Sequence, residues 1–243
     1  VQAVILAAGL SRRMGRATQD KPKCLLEIKG ETILGRTLNN LRAAGIRDLV
    51  MTVGYRHQMI RDFIASSFPS LNVSYLLNEG YAGNNNAYSL WMTRGSVEGP
   101  LFLLDSDILF DKTILPLLAD CGEENCLAVR VSRTLTEEEM KVAIREGTKQ
   151  ITHISKTIDP RTAYGESIGI ERFSPGFLKD LYAILDRRIS RENRIHDFYE
   201  ASFQEMIESG HPLFAVDIGP RKAAEIDSPA DVAAADKDII PFI

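Results

Sequence analysis

The chain has 243 residues, 44% hydrophobic and 26% charged, enough to bury a sizeable core without metal or disulfide staples. Its formal net charge of −4 excludes a general electrostatic affinity for nucleic acid or an anionic membrane, and its 4 scattered histidines exclude a histidine metal site. The 3 cysteines have no C-x-x-C spacing, which fits reduced thiols in a cytoplasmic protein, and no apolar run approaches the length of a membrane span.

Val1 to Ala7 is a continuous apolar run rich in β-branched residues and followed by Gly9, which predicts a strand buried in a parallel sheet. A polar loop follows. Apolar residues at Ile33, Leu34, Leu38 and Leu41, with Gly45 as terminator, predict an amphipathic helix over 32–44. Strands over 49–53, 73–77 and 100–104 alternate with helices over 57–66 and 86–94. Such alternation implies right-handed βαβ units in an open, doubly wound α/β sheet whose ligands sit at the carboxyl ends of the strands. After Cys126 the pattern changes to short strand-like pieces near 127–131, 140–145 and 150–155, then helices near 175–189 and 197–209, as an inserted lobe would give. A returning strand over 214–217 and a helix over 229–237 close the chain.

The stretch from Leu6 to Lys23, LAAGLSRRMGRATQDKPK, runs from the first strand into a strongly cationic loop. Backbone N–H groups near Gly9 can approach phosphate oxygens closely, and Arg12, Arg13, Lys21 and Lys23 can neutralise them; a solvated basic loop would carry the same charges. The spacing matches neither G-x-G-x-x-G nor G-K-[ST], so neither a dinucleotide fingerprint nor a P-loop is supported. In LFLLDSDILF, Asp105 and Asp107 end an apolar strand. Paired acids there suit a hard cation, and a polar turn capping the next helix accounts for them equally well. Asp227, in AAEIDSPADVAAAD, is either a metal ligand or part of a helix start.

Taken together, Leu6-Ala7-Ala8-Gly9, Arg13-Met14 and Lys21-Pro22-Lys23 resemble the L-A-A-G-x-x-x-R-M and K-P-K signature of MobA-like nucleotidyltransferases with a GT-A-like Rossmann fold. The resemblance implies that the loop wraps a triphosphate, with Leu6, Ala8, Gly9 and Asp105 on the nucleotide. It also implies that Arg13 and Lys23 stabilise charge at the α-phosphate, and that Asp107 and Asp227 hold Mg²⁺. On that basis the chain divides into a nucleotide-binding half over 1–126, a small acceptor-binding lobe over 127–212, and a returning strand with a C-terminal helix over 213–243.

The stretch with Asn84, Asn85, Tyr88, Ser89 and Leu90 resembles the N-N-x-Y-S-L segment of bacterial phosphocholine cytidylyltransferases and their 2-aminoethylphosphonate relatives. It implies CTP, with Asn84, Asn85 and Ser89 reading the base; a turn and helix cap accounts for Asn86 alone. The L-G-T-A segment of sugar-nucleotide enzymes is absent. RIHDFYEASF offers Asp197, Tyr199 and Glu200 for an ammonium head group, with Phe198 and Phe203 assigned to the core by helical spacing. Glu166 and Lys156 complete the expected acceptor site, Lys156 on the phosphate. The single tryptophan, Trp91, lies in the nucleotide segment, and Met140 stands where the tryptophan-rich choline box would have an aromatic. A primary ammonium, as in 2-aminoethylphosphonate or phosphoethanolamine, is favoured over phosphocholine.

The expected activity is CMP transfer from CTP to a small phosphate or phosphonate, with no nucleic-acid or membrane partner. A sugar-1-phosphate, inositol-phosphate or molybdopterin-type nucleotidyltransferase using another NTP, or a non-catalytic nucleotide-sensing domain, are the alternatives. A start at Val1 and an end in DIIPFI, without a polar tail, lead to the expectation of a module fused to a second enzyme domain.

Overall fold

The chain runs through β1 (Gln2–Ala7), β2 (Glu27–Ile28), β3 (Glu31–Thr32), α1 (Ile33–Ala43), β4 (Asp48–Val53), α2 (His57–Ser67), β5 (Asn72–Leu77), α3 (Asn86–Met92), β6 (Leu101–Asp105), β7 (Ile108–Phe110) and α4 (Ile114–Asp120). It continues through β8 (Cys126–Arg130), β9 (Lys141–Ile144), β10 (Ile151–Ser155), β11 (Gly165–Phe173), α5 (Pro175–Asp186), α6 (Glu200–Glu208), β12 (Phe214–Asp217), β13 (Ala223–Glu225) and α7 (Pro229–Asp238). This computed structural model describes residues 1–10, 12–132 and 134–243, and the backbone alone at Arg12, Arg16 and Ala17.

β6, β1, β4 and β5 are parallel neighbours in that order. Because β1 has partners on both edges and helices on both faces, it must be apolar on both sides, which explains the unbroken run at the N-terminus. Ala3, Ile5 and Ala7 join a core with α1, α2 and α4; Val4 and Leu6 join another with α3, α5 and α6. The expected doubly wound α/β arrangement is therefore present. β11 pairs antiparallel with β6 and carries β8 and β9, and β12 and β10 join those two. The 127–212 stretch thus extends the same sheet.

Among the elements that escaped the sequence pattern are β11, α4, β7 and β13. β11 is interrupted by Gly169 at φ +70 and a register shift between Ser167 and Glu171, so its alternation is broken. α4 carries Pro116 in its first turn and spans 7 residues, too short for a clear helical period. β7 and β13 pair with each other across nearly half the chain. α6 starts at Glu200, so Asp197, Phe198 and Tyr199 precede the helix expected to contain them.

Parallel pairing brings the carboxyl ends of β1, β4, β5 and β6 to one edge. The loop after β1 is held there by Tyr55, whose N–H donates to the Ala8 carbonyl at 3.3 Å. A Cβ on Gly54 would lie 2.6 Å from that carbonyl, so the approach requires glycine. Among the described residues no helix is long and apolar enough to cross a membrane.

Candidate active site

The residues that the family resemblance assigns to nucleotide, metal and catalysis line one cavity of about 370 Å³ at this edge, namely Leu6, Ala8, Gly9, Arg13, Lys23, Asn84, Asn85, Ser89, Asp105, Asp107 and Asp227, whereas Lys21 does not line it. The side chain of Arg12 lies outside the described residues. A second cavity, of about 620 Å³, shares Arg13, Asn86, Asp105, Phe198, Glu225 and Asp227 with the first and extends over β11. Lys156, Glu166, Glu200 and Met140 line this second space.

The junction is a chain of ion pairs. Pro22 leads into a short 3₁₀ turn, Lys23–Leu25, whose Cys24 and Leu25 are buried in the core and so fix the Lys23 backbone. The Lys23 Nζ, only 9% exposed, stands 2.5 Å from Asp107 and 2.7 Å from Asp227, and Arg13 reaches the other Asp227 oxygen at 2.5 Å. Burial alone would lower the Lys23 pKa, but Asp107 and Asp227 outweigh it and hold the ammonium well above its ordinary value. Asp227 is held below the usual carboxylate range because Lys23 and Arg13 overcome its own desolvation.

The β7–β13 pairing makes this juxtaposition possible. It places Glu225 opposite Ile108, and the Ile226 N–H donates to the Asp107 carbonyl at 2.9 Å. Carboxylate oxygens of Asp107, Glu225 and Asp227 then lie within 4.8 Å of one another. Glu225 went unrecognised in the sequence, although E-I-D repeats the spacing of D-S-D. It is exposed by surface area, yet shielding within the cleft and the charges of Asp107, Asp227 and Asp105 push its carboxyl up to about 8. Helix capping does not occupy these acids. Ser228 caps α7 in a capping box with Asp231, and Thr113 is the N-cap of α4.

Asp105 accepts from the Tyr199 hydroxyl at 2.9 Å, and the same hydroxyl lies 3.5 Å from buried Glu171. Burial, followed by Asp107 and Glu200, pushes Asp105 well above the ordinary range; burial and Asp105 do the same for Glu171. Tyr199 is fully buried, so its assignment to the acceptor is corrected: it supports Asp105 from behind. Asp197 is corrected too. It pairs with Arg188 at 2.6 Å and lines neither cavity. Phe203 is core as expected, but Phe198 is 43% exposed and lines both cavities, because it lies before the start of α6 and off the helix's buried face.

The asparagine segment is built from mutual contacts. Asn84 and Asn78 exchange hydrogen bonds at 2.8 and 3.0 Å, and Asn78 also donates to the buried Ser89 hydroxyl at 3.2 Å. Asn85, rather than Asn86, caps α3, accepting from the Asn86 N–H at 2.8 Å and donating to the His196 carbonyl at 3.2 Å. Asn86 accepts from the Tyr199 N–H at 3.0 Å. These amides form the cavity wall, and their bonds to one another and to the backbone fix its shape. Trp91 donates to Asp186 at 3.0 Å and lines neither cavity.

In the second cavity, Lys156 places its Nζ 5.0 Å from the Phe198 ring centroid. Glu166 pairs with Arg130, yet burial still raises its carboxyl. Glu200 is 7% exposed, and burial pushes it up to about 7.

A MobA-like NTP transferase domain matches residues 3–225. The chain belongs to this family. The family and the relatives are nucleotidyltransferases, cytidylyltransferases among them. A CMP-5'-(3-aminopropyl)phosphonate synthase of Streptomyces rubellomurinus is 27% identical over 254 residues, covering 97% of this chain and 38% of that protein. A CTP:phosphoglutamine cytidylyltransferase of Campylobacter jejuni is 25% identical over 240 residues, covering 90% of this chain and 92% of the relative. The chain therefore spans well under half the length of the first and nearly all of the second. The structure of the CTP:phosphocholine cytidylyltransferase of Streptococcus pneumoniae superposes with a TM-score of 0.82 at 18% identity over 97% of each chain, the GT-A-like fold expected for the family.

Proposed function

We propose that the protein transfers CMP from CTP to a small, amine-bearing phosphate or phosphonate and releases pyrophosphate. The carrying observation is the Arg13–Asp227–Lys23–Asp107 chain at the junction of two cavities, with Lys23 and Asp107 lining the first and Glu166 and Glu200 lining the second. The cytidylyltransferase names of the relatives support the choice of CTP. Gly9 fits a phosphate-binding loop: among the described residues a Cβ there would meet nothing within 4 Å, and its absence leaves the backbone open to close approach by a phosphate.

In this reading an acceptor oxygen attacks the α-phosphorus, and the bond from that phosphorus to the bridging β-phosphate oxygen breaks. Lys23 and Arg13 offset charge gathering on the α-phosphate oxygens, from positions already set by their aspartates. The acceptor is anionic before it binds, so its oxygen attacks without a protein base. Asp107, Glu225 and Asp227 fit Mg²⁺, being hard oxygen donors gathered closely enough to share one small cation. When bound, the ion supplies Lewis-acid charge at the α-phosphate. Beyond the junction, Glu200 and Glu166 can accept hydrogen bonds from a primary ammonium beside the Phe198 ring.

Pyrophosphate release tests this with each of the common NTPs against 2-aminoethylphosphonate, phosphoethanolamine, phosphocholine, glucose 1-phosphate and inositol 1-phosphate. Turnover requiring CTP and an amine-bearing acceptor is expected. Preference for UTP or GTP, or for the sugar or inositol phosphate, overturns the reading.

A further inference from the structure

Arg130, Glu166 and Lys141 form one cross-strand row over β8, β11 and β9, with Glu166 in register with each of the others. Residues in such a row share a sheet face. Arg130 and Glu166 pair and line the acceptor cavity. Lys141 does neither. It is 0% exposed, and among the described residues its ammonium makes no ion pair; it donates to the Thr136 carbonyl at 3.0 Å and the Glu139 carbonyl at 3.2 Å. Burying an ammonium is costly even when its hydrogen bonds are made, and an apolar side chain would fill the same core position at less cost. The charge therefore needs a reason beyond packing.

The two carbonyls belong to the loop that brings Glu138, Glu139 and Met140 to the acceptor cavity. Within the loop the remaining bonds are local: the Glu139 carboxylate accepts from the Thr136 N–H and hydroxyl, each at 2.7 Å, and the Thr136 hydroxyl accepts from the Glu138 N–H at 3.2 Å. At its end the Met140 carbonyl accepts from the Ser167 N–H at 2.8 Å. Among the described residues, Lys141 is the side chain that ties the loop's interior to the sheet. None of Thr136 to Met140 lines the nucleotide cavity.

We propose that Lys141 is a positioning residue for the acceptor: its buried ammonium pegs the Thr136–Met140 loop to the sheet and thereby shapes the acceptor cavity while leaving the nucleotide cavity untouched. This rests on assigning the second cavity to the acceptor. In Lys141→Met, amide hydrogen exchange at Thr136 and Glu138 rises in the ligand-free protein. KM for 2-aminoethylphosphonate rises about tenfold while KM for CTP stays within about twofold, the pattern of lost ground-state binding at one site. Lys141→Arg, which keeps donors at the position, recovers part of both effects.

Unchanged loop exchange, or a CTP KM that rises in step with that of the acceptor, overturns the proposal. If Lys141→Met does not fold, Lys141→Gln keeps a polar group but falls one bond short of the carbonyls, and the same two readouts decide. Exchange is read without any acceptor. A wild-type enzyme that turns over no amine-bearing acceptor would overturn the proposed function, while the peg would still stand or fall on the loop's exchange.

Discussion

Replacing Glu200 by glutamine raises stability at alkaline pH and much less in acid. The carboxyl is 7% exposed and its Oε2 has no hydrogen-bond partner among the described residues. Burial, opposed in part by a backbone hydrogen bond and by Lys156, moves it from the ordinary 4.5 to about 7. Between those values the native state holds a proton that the unfolded chain has released, so stability falls as pH rises through the window. At about 1.4 kcal/mol per pH unit the full penalty is about 3 kcal/mol, complete above pH 7 and mostly absent near pH 5. Denaturant unfolding of both proteins at about pH 5 and about pH 8.5 isolates this effect, because packing changes caused by the amide contribute at both pH values. Glutamine gains about 2 to 3 kcal/mol relative to wild type between the two conditions. An unchanged difference between the proteins would refute the reasoning. The penalty in the wild type fits an acceptor-binding role, since a carboxylate destabilised in the free enzyme is relieved when an ammonium binds beside it.

Lys23→Ala lowers kcat by about 100- to 1,000-fold in the pyrophosphate-release assay. It also lowers the melting temperature of the metal-free protein, because Asp107 and Asp227 lose their shared cation, and Mg²⁺ restores much of that loss; a melting temperature insensitive to both changes contradicts the bridging role. Asp107→Asn and Glu225→Gln each raise the Mg²⁺ concentration for half-maximal activity by about tenfold or more, and an unaltered Mg²⁺ titration removes that residue from the metal site. Gly169→Ala destabilises by about 1 to 3 kcal/mol, since the glycine has φ +70 and a Cβ would lie 2.9 Å from both Asp105 Oδ2 and Ile108 Cδ1. Its denaturation midpoint and kcat fall together if the strain reaches Asp105; a wild-type midpoint contradicts the steric account.

How much of the site could be read from sequence depended on how local its cause was. The loop after β1, Arg13, Lys23 and the strand-end acids sit in short motifs whose charge and glycine spacing are themselves the chemistry, and all of them reach one cavity. The alternation of β-branched runs with amphipathic helices determined the doubly wound order, because strands buried on both faces and helices buried on one must differ in period. Glu225 was hidden because its place beside Asp107 depends on the β7–β13 pairing, which has no local periodicity to mark it. Asp197, Phe198 and Tyr199 were misplaced because α6 begins without a side-chain cap, leaving no residue type to mark where the helix starts. A shift of three residues in that start decided that Asp197 meets Arg188, Phe198 faces the cleft and Tyr199 is buried under Asp105. The sequence by itself determined the central parallel strands, the residues of the first cavity and the family resemblance. Only the tertiary structure decided which acids converge, because that follows from the pairing of β7 with β13 far apart in the chain, and which aromatic lines the cleft, because no capping residue marks the start of α6.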